Sequence, residues 1–328
     1  MTDRTALLLP GQGAQHARMG AELYEHEPTF ASVFDNFIDL MGEEGQRLRS
    51  DWLSSHPELP VDDGRRAQPL LFAIDYALGK VLELRGLRPS ALLGHSVGEL
   101  AAAALSGVFD LPSAARIMAA RSRVLATAPA GGMLAVAGTP EAVTKIIPPR
   151  LADRGVVVGA FNAPQQTVLA GPEDELVRTE QALKEAGLVA RRVRALEPFH
   201  SPVLAPAAKE FARAVAAEPL HAPGIPIYSA RTGRLVSDRE AVDPTFWAHQ
   251  IAEPVLYWPA LSALLDSGEY VLVEAGPGRA LSIPARRHPA VRQGRSSLVC
   301  LLPAAEGGDA RKTWQTGLAQ LGLVKDPV

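Results

Sequence analysis

The sequence is poor in cysteine, since Cys300 is the only one among 328 residues. A single cysteine excludes an internal disulfide framework and is typical of a reducing compartment, so we predict a cytoplasmic protein. Long hydrophobic runs are missing as well. No run reaches the roughly 18 residues of a membrane helix, and the apolar run near the start is too short for a signal peptide. We therefore expect no membrane association.

An excess of charge of one sign is also absent. The chain has 33 Lys and Arg residues against 36 Asp and Glu residues, a formal net charge of −3. This balance gives no general reason to expect a nucleic-acid partner. The hydrophobic content of 47% and the charged content of 21% are ordinary for a globular protein. A chain of this length forms either one large domain or a main domain with a smaller insertion.

Apolar patterning in the first part of the chain predicts alternating strands and helices. We expect strands at 5–9 and 91–93 and helices at 30–41, 68–85, after Ser96 and at 112–127, with Pro69 near the first turn of the second helix. This alternation indicates an α/β layer structure with a mostly parallel sheet. The polar, charged segment 42–66 is predicted to be a solvated linker.

The pattern changes in the middle of the chain. It predicts strand 133–137, helix 140–147, strands 155–160 and 167–170, helix 173–186 and strand 189–194. The order β-α-β-β-α-β is that of a ferredoxin-like unit. We therefore predict a small subdomain at 129–196, inserted into a larger one built from 1–128 and 197–328. After it the α/β pattern resumes with helices at 203–217, 244–251, 257–266 and 309–321 and strands at 226–229 and 270–274.

The pentapeptide "GHSVG" at 94–98 places one serine between two glycines at a strand-to-helix junction. In this context G-x-S-x-G predicts a nucleophile elbow, in which a tight turn projects the Ser96 hydroxyl at the positive end of a helix. Backbone N–H groups at such a turn can stabilise an oxyanion. The pentapeptide by itself also occurs in ordinary loops, so the interpretation depends on the strand and the helix around it.

A serine hydroxyl is a weak nucleophile until a base removes its proton. Of the eight histidines, His200 lies at the exit of the predicted insertion, where Pro198 and Pro202 stiffen the loop and Phe199 can anchor it. We therefore predict His200 as the base. His95 is next to the serine, but its side chain must leave the turn in another direction. We expect His95 to pack beside the site.

Eight segments occur along the chain in a fixed order: "LLLPGQGAQ", "AQPLLFAIDYAL", "GHSVGELAAA", "AARSRVL", "FNAPQQTVLAG", "FHSP", "HQIAEPVLYW" and "VEAGPGRAL". Their combination resembles malonyl-CoA:acyl-carrier-protein transacylases and the acyltransferase domains of polyketide synthases, from about Leu7 to Leu281. The resemblance implies an α/β-hydrolase-like large subdomain with a ferredoxin-like insertion. This agrees with the pattern of strands and helices.

The resemblance also implies a role for each matching residue. Ser96 would take the acyl group from coenzyme A as an ester, and His200 would be the general base. The backbone N–H groups of Gln12 and Val97 would form the oxyanion hole, and the carbonyl of Gln250 would orient the histidine. Such a dyad is sufficient because a thioester is already activated.

The acyl group follows from a second set of matching residues. Arg121 would bind the free carboxylate of a malonyl-type acyl group through its forked guanidinium. Gln68 and Asn162 would provide polar lining of the acyl pocket. Val97 and Phe199 are typical of malonyl selection. The tetrapeptide that contains Phe199 reads "EPFH" instead of the usual "HAFH", which leaves a branched or substituted malonyl unit, or a non-malonyl acyl group, open.

The implied partners are an acyl carrier protein, discrete or within a polyketide synthase, and malonyl-CoA or a related acyl-CoA. We expect no permanently bound cofactor, no metal and a monomer. Because carrier proteins are acidic on their recognition helix, a basic surface is expected at Arg191 and Arg192 or at Arg286 and Arg287. The start at Met1 and the end soon after the last helix predict a freestanding enzyme, for fatty-acid synthesis or acting in trans in polyketide synthesis.

Two other functions remain open on the sequence. A serine hydrolase or thioesterase of the α/β-hydrolase type would share the elbow, but "PGQGAQ" is not an "HGGG" oxyanion loop and no acid clearly completes a triad. A non-catalytic protein that docks carrier proteins would not need Ser96, His200 and Arg121 together. Labelled malonyl-CoA separates the three, through transfer to a carrier, release of free malonate or no labelling.

Overall fold

The computed structural model describes residues 4–147 and 154–324. The strands within these residues form two sheets. They are β1 (Thr5–Leu9), β2 (Ala91–Gly94), β3 (Gly132–Val136), β4 (Val157–Ala163), β5 (Gln166–Gly171), β6 (Ala190–Arg192), β7 (Ile227–Ser229), β8 (Arg234–Leu235), β9 (Val271–Glu274) and β10 (Ser297–Cys300). The larger sheet has the order β10-β9-β1-β2-β7-β8 and is parallel except for β8. The smaller sheet has the order β4-β5-β3-β6 and is antiparallel.

The α-helices of the described residues lie around these sheets. They are α1 (Ala21–His26), α2 (Pro28–Leu40), α3 (Glu43–Leu53), α4 (Gly64–Leu84), α5 (Val97–Leu105), α6 (Leu111–Leu125), α7 (Pro140–Ile146), α8 (Glu173–Glu185), α9 (Ala205–Val215), α10 (Asp238–Ala241), α11 (Pro244–Ala248), α12 (Tyr257–Asp266), α13 (Ser282–Ala285), α14 (Pro289–Arg292) and α15 (Ala310–Gln320). Short 3₁₀-helices cover Pro202–Leu204 and His249–Ile251. In this described part of the chain, no helix has the length and apolarity needed to cross a bilayer.

The central strand β1 is apolar along its whole length because both faces of the large sheet are covered. Leu7 and Leu9 belong to one core cluster, whereas Ala6 and Leu8 belong to the cluster on the opposite face. A parallel sheet buried on both faces favours such continuous apolar strands. The predicted α/β class is therefore confirmed.

The elements of the smaller sheet follow the predicted order, as β3-α7-β4-β5-α8-β6. The arrangement is ferredoxin-like, and this sheet packs its own core around Leu134, Leu169 and Leu176. It is tied to the rest of the protein by a bridge from Ala160 to Val255. The subdomain limits of 129 and 196 stay predictions.

The prediction of a solvated linker at 42–66 is wrong. Most of its first half forms α3, in which Leu48 and Trp52 are buried in the large core. The indole Nε1 of Trp52 donates to the carbonyl of Met19 at 2.9 Å. Leu48 and Trp52 are four positions apart and therefore lie on the same face of a helix. This spacing indicates a buried helical face, but the high charge of the segment led to the prediction of a linker.

Helix α4 also begins earlier than predicted. Its first residue is Gly64, and the side chain of Asp63 caps it by accepting a hydrogen bond from the backbone N–H of Arg65. Pro69 therefore lies in the second turn of the helix and not near its first turn. Because proline has no N–H, the backbone bond that would start there is missing. This helix carries Gln68 into the centre of the molecule.

Candidate active site

A cavity of about 170 Å³ lies at the carboxyl ends of β1 and β2. The loop after β1 contributes Gly11, Gln12 and Gly13 to its wall, and the turn after β2 contributes His95 and Ser96. The small sheet and the segments beside it supply the opposite wall, with Met133, Ala135, Ala160, Asn162, Gln166, Val168, Val193 and Ala195. Ligand sites of open parallel sheets are expected at this edge.

The turn after β2 has the geometry of a nucleophile elbow. Ser96 has φ 54° and ψ −122°, a strained conformation for a residue with a side chain, and it directly precedes α5. A Cβ atom on Gly94 would collide with the backbone of Glu99, and one on Gly98 would collide with the carbonyl of Leu9. Glycine is therefore required on both sides of the serine. The backbone strain is held where the hydroxyl faces the cavity.

His200 and Ser96 are in direct contact, although 104 positions separate them in the sequence. The histidine Nε2 lies 2.9 Å from the serine Oγ. Its Nδ1 lies 2.9 Å from the carbonyl oxygen of Gln250 and 3.0 Å from that of Glu253. Because both carbonyls can only accept, Nδ1 carries the proton and Nε2 is free to accept from the serine hydroxyl. This is the tautomer that a general base needs.

The electrostatic surroundings keep this base neutral. Burial lowers the pKa of His200 to about 3, and the nearby His95 and Arg121 act in the same direction. The His200 backbone has φ 62°, and its N–H donates to the carbonyl of Ile251 at 2.8 Å. The neutral imidazole is therefore available over a wide pH range, in a loop fixed by its own backbone.

Two backbone N–H groups are available beside the serine. Val97 is the first residue of α5, where amides have no partner within the helix, and Gln12 lines the cavity after β1. Neither amide donates a hydrogen bond within the described parts of the chain. An oxygen that gains negative charge next to Ser96 could accept from such amides.

Arg121 is a cation buried behind the cavity wall. It has 0% exposure, and its Nε donates to Oε1 of Gln68 at 2.5 Å. Both terminal nitrogens are buried without an acceptor among the described residues. Burial lowers the pKa of Arg121 to about 9. Gln68 lines the cavity, whereas Arg121 is not among the lining residues and reaches the site through its hydrogen bond to Gln68.

The other predicted lining residues are also at the cavity. The side-chain Nε2 of Gln68 donates to Oε1 of Gln12 at 2.9 Å, which links the arginine to the loop after β1. His95 donates from Nε2 to Oδ1 of Asn162 at 2.9 Å, and the rings of Phe199 and His95 both lie on the wall. No cluster of metal-binding side chains is present in the described residues.

A buried carboxylate next to the dyad was not predicted from the sequence. Glu99 is 1% exposed, and its Oε2 accepts from Nε2 of Gln250 at 2.8 Å. Burial raises the pKa of Glu99 to about 7, and the hydrogen bond from Gln250 acts in the opposite direction. The sequence did contain an indication of this buried carboxylate, because Glu99 is the charged residue of an otherwise apolar helix and lies in its first turn, three residues after Ser96.

The predicted carrier-protein residues are exposed at two places, Arg191 and Arg192 on β6, and Arg286 and Arg287 after α13. Arg192 is bound to Glu173 and Glu180 at 2.9 and 3.3 Å. No ion pair of Arg286 or Arg287 occurs in the described part of the structure. The two places therefore differ in free positive charge.

Comparisons with known proteins agree on one family. The model of the acyl transferase domain family matches residues 7–291. A phenolphthiocerol/phthiocerol polyketide synthase polypeptide of Mycobacterium tuberculosis is 36% identical over 321 residues, which are 98% of this chain and 21% of that protein. This chain thus spans about a fifth of that relative's length.

Two solved structures are similar over nearly the whole chain. The acyltransferase domain from the second module of the salinomycin polyketide synthase has a TM-score of 0.86 and 34% identity, and the match covers 98% of this chain and 74% of that one. The malonyl-CoA:acyl carrier protein transacylase of Xanthomonas oryzae pv. oryzae has a TM-score of 0.82 and 28% identity, with 97% and 99% covered.

Proposed function

The chain belongs to the acyl transferase domain family, and from this premise we propose that it moves a malonyl-type acyl group from coenzyme A to the phosphopantetheine thiol of an acyl carrier protein. The observation that carries the proposal is the position of Arg121. Its Nε donates to Gln68, which lines the cavity that holds Ser96, and its two terminal nitrogens are buried without an acceptor among the described residues. A buried guanidinium with open donors requires an anion, and the free carboxylate of a malonyl group supplies one.

In the first half-reaction Ser96 Oγ attacks the thioester carbonyl while His200 Nε2 takes the hydroxyl proton. The carbonyl oxygen becomes negative and accepts from the backbone N–H groups of Gln12 and Val97. Collapse of this intermediate breaks the carbon–sulfur bond. The departing sulfur of coenzyme A receives the proton from Nε2, and an ester remains on the serine. The carbonyl of Gln250 holds Nδ1–H throughout.

The second half-reaction runs the same steps in reverse with a new thiol. The phosphopantetheine thiol gives its proton to His200 Nε2 and attacks the ester carbonyl. The carbon–oxygen bond to Ser96 breaks, and Oγ recovers the proton from the imidazolium. Coenzyme A thioester and carrier protein are thus both substrates, and each proton moves between the thiol, the imidazole and the serine hydroxyl.

The hydrolase alternative has less support. The imidazole of His200 is oriented by the carbonyls of Gln250 and Glu253, whereas a hydrolase triad uses an acidic side chain for this task. An uncharged ester substrate would also leave the guanidinium of Arg121 without a counter-ion. Both observations favour transfer of a carboxylated acyl group from an activated thioester.

For the carrier protein we propose the surface formed by Arg286 and Arg287. These residues follow α13, which begins two residues after Ala280 in the cavity wall. Both arginines lack an ion-pair partner among the described residues, whereas at the other place only Arg191 does and the charge of Arg192 is offset by two glutamates. The cytoplasmic location, the monomeric state and the freestanding enzyme stay predictions.

The test is incubation with labelled malonyl-CoA, with and without an acyl carrier protein that bears phosphopantetheine. We expect a covalent ester on the wild-type protein, its transfer to the carrier and no labelling of a Ser96→Ala variant. Release of free malonate without transfer would favour the hydrolase. Labelling of Ser96→Ala at the wild-type level would place the nucleophile elsewhere.

A further inference from the structure

The turn at 250–253 presents three carbonyl oxygens to a single histidine. The backbone N–H of His200 donates to Ile251, and its Nδ1–H is shared between Gln250 and Glu253, at distances of 2.8, 2.9 and 3.0 Å. The position of the base and its tautomer therefore both depend on the position of this turn. Any group that fixes the turn also fixes the direction in which Nε2 points.

One end of the turn is fixed by Glu99. The side-chain Nε2 of Gln250 donates to the Glu99 carboxylate at 2.8 Å, and both residues are buried. Glu99 lies in the first turn of α5, the helix that begins directly after Ser96. This hydrogen bond consequently ties the turn that orients the base to the helix that positions the nucleophile.

The other end of the turn is fixed by Arg231. Its Nε and Nη2 donate to the two carboxylate oxygens of Glu253 at 2.6 and 2.9 Å, and its Nη1 donates to the carbonyl of Phe246 at 3.1 Å. The backbone N–H of Arg231 donates to Oγ of Ser229, the last residue of β7, at 3.0 Å. The guanidinium lies 5.0 Å from the centre of the Phe246 ring. Arg231 thus connects the turn to the large sheet.

We propose that Glu99 and Arg231 are positioning residues of the acyl transfer, an inference that rests on the proposed function. Glu99 acts through Gln250, and Arg231 acts through Glu253. Together they hold the carbonyls so that His200 Nδ1 keeps its proton and Nε2 faces Ser96. Neither residue is among those that line the cavity, so both act on the rate of the chemical step and leave substrate binding nearly unchanged.

Glu99 and Arg231 hold the turn at 250–253 from both ends. The hydrogen bond between Glu99 and Gln250 is buried, and Arg231 binds Glu253 through two hydrogen bonds. Both interactions involve charged groups and are stronger than exposed neutral hydrogen bonds. A displacement of a reacting group by about 1 Å costs on the order of 10²-fold in rate. We therefore expect Glu99→Leu and Arg231→Leu each to lower kcat by about tenfold or more, with KM for malonyl-CoA nearly unchanged.

Conservative variants separate positioning from charge. Glu99→Gln retains an oxygen that can accept from Gln250 and should keep most of the wild-type kcat. Arg231→Lys retains the charge but loses the fork, so it should recover only part of the activity. Where Glu99→Leu does not fold, Gln250→Met removes the same hydrogen bond and keeps the backbone carbonyl that bonds His200.

The direct readout is the tautomer of His200, measured by ¹⁵N NMR on protein labelled at histidine. The wild type should show a protonated Nδ1, and Glu99→Leu and Arg231→Leu should show a mixture of tautomers or a changed Nδ1 shift. Arg234→Leu is the matched control for Arg231, because it removes a bidentate arginine–glutamate pair with Glu240, and neither of these side chains bonds the turn among the described residues. Its kcat and its His200 signal should equal those of the wild type.

Two results would overturn the inference. One is a wild-type kcat together with a wild-type tautomer in folded Glu99→Leu and Arg231→Leu. The other is a Glu99→Gln variant as slow as Glu99→Leu, since the hydrogen bond to Gln250 would then not be what matters. A wild-type protein that forms no ester would refute the proposed function instead, and the NMR measurement would still decide whether the two residues position His200.

Discussion

The guanidinium of Arg121 donates from Nε to Oε1 of Gln68 at 2.5 Å and lies 5.6 Å from the centre of the Phe211 ring, and both terminal nitrogens remain without an acceptor among the described residues. The side chain is fully buried, which lowers its pKa to about 9. Keeping an unpaired cation in this place costs free energy in the absence of substrate. A carboxylated acyl group that pairs with Arg121 would offset that cost, so burial of the arginine favours a substrate with a negative charge.

We expect Arg121→Ala to lower kcat/KM for malonyl-CoA by about tenfold or more, because a bidentate charged pair is worth roughly 1.5–3 kcal/mol. The same variant should accept acetyl-CoA relatively better, since no buried cation then faces an apolar acyl end. Steady-state kinetics with both donors measure the preference. Arg121→Lys should recover only part of the malonyl rate.

The matched control is Arg123→Ala, which removes an exposed arginine from the same helix α6. It should leave the ratio of malonyl to acetyl transfer unchanged. An unchanged ratio in Arg121→Ala as well would make Arg121 an ordinary helix residue and would remove the reason to propose a carboxylated substrate.

Replacement of His200 tests the base. His200→Ala should slow formation of the Ser96 ester by a factor on the order of 10²–10⁴, the usual contribution of a positioned general base. Rapid-quench mass spectrometry of the intact protein follows the ester directly. His26→Ala, at an exposed position, serves as the control. Ester formation at the wild-type rate would transfer the role to another group, with His95 the next candidate.

The pH dependence follows from the burial of His200. Only the neutral imidazole can accept the serine proton, and burial lowers its pKa to about 3. An exposed histidine would be only about 3% neutral at pH 5. We therefore expect no loss of the Ser96 acylation rate around pH 6.5 that is due to this residue, in stopped-flow measurements from pH 8 to pH 5. A tenfold loss per pH unit below 6.5 that disappears only in His200→Ala would contradict the burial argument.

The lowered pKa of His200 also makes the stability of the folded protein decrease as the pH falls. The pKa of His200 is lower in the folded protein than in the unfolded chain, so the unfolded chain binds the proton more readily below pH 6.5. The contribution of neutral His200 is complete above pH 6.5 and is lost as the pH falls toward about 3. A His200→Gln variant should therefore lose less Tm than the wild type between pH 7 and pH 5. An identical loss in both proteins would count against this linkage.

The carrier surface can be tested by charge. Arg286→Glu with Arg287→Glu should raise KM for an acidic carrier protein while leaving formation of the Ser96 ester intact. Added salt should weaken transfer in the wild type and have less effect in this variant, because exposed charges are screened. Arg311→Glu with Lys312→Glu, at exposed positions of α15, is the control. Equal salt sensitivity of both half-reactions would exclude the surface.

The elbow around Ser96 could be predicted from the sequence, because its two glycines, the preceding strand and the following helix are neighbours in the chain. A Cβ atom at Gly94 would meet the nearby backbone of Glu99, whereas the collision at Gly98 is with Leu9 and arises only in the folded chain. The order of strands and helices in the small sheet was also predictable, since hydrophobic periodicity is a local property. The proline-flanked loop at the exit of the insertion already indicated His200 as the base of Ser96, whereas the role of Arg121 came from the family resemblance.

Contacts between side chains that are far apart in the sequence could not be predicted without the folded chain. Glu99 and Gln250, which form a hydrogen bond, are 151 positions apart in the sequence. Trp52 is buried in the large core, although the charged composition of its segment does not indicate a buried side chain. The unpartnered terminal nitrogens of Arg121 likewise become visible only when the described residues around it are known. Burial and hydrogen-bond partners depend on how the whole chain packs. The spacing of apolar residues and the local backbone conformation depend mainly on neighbouring residues and can therefore be predicted from the sequence.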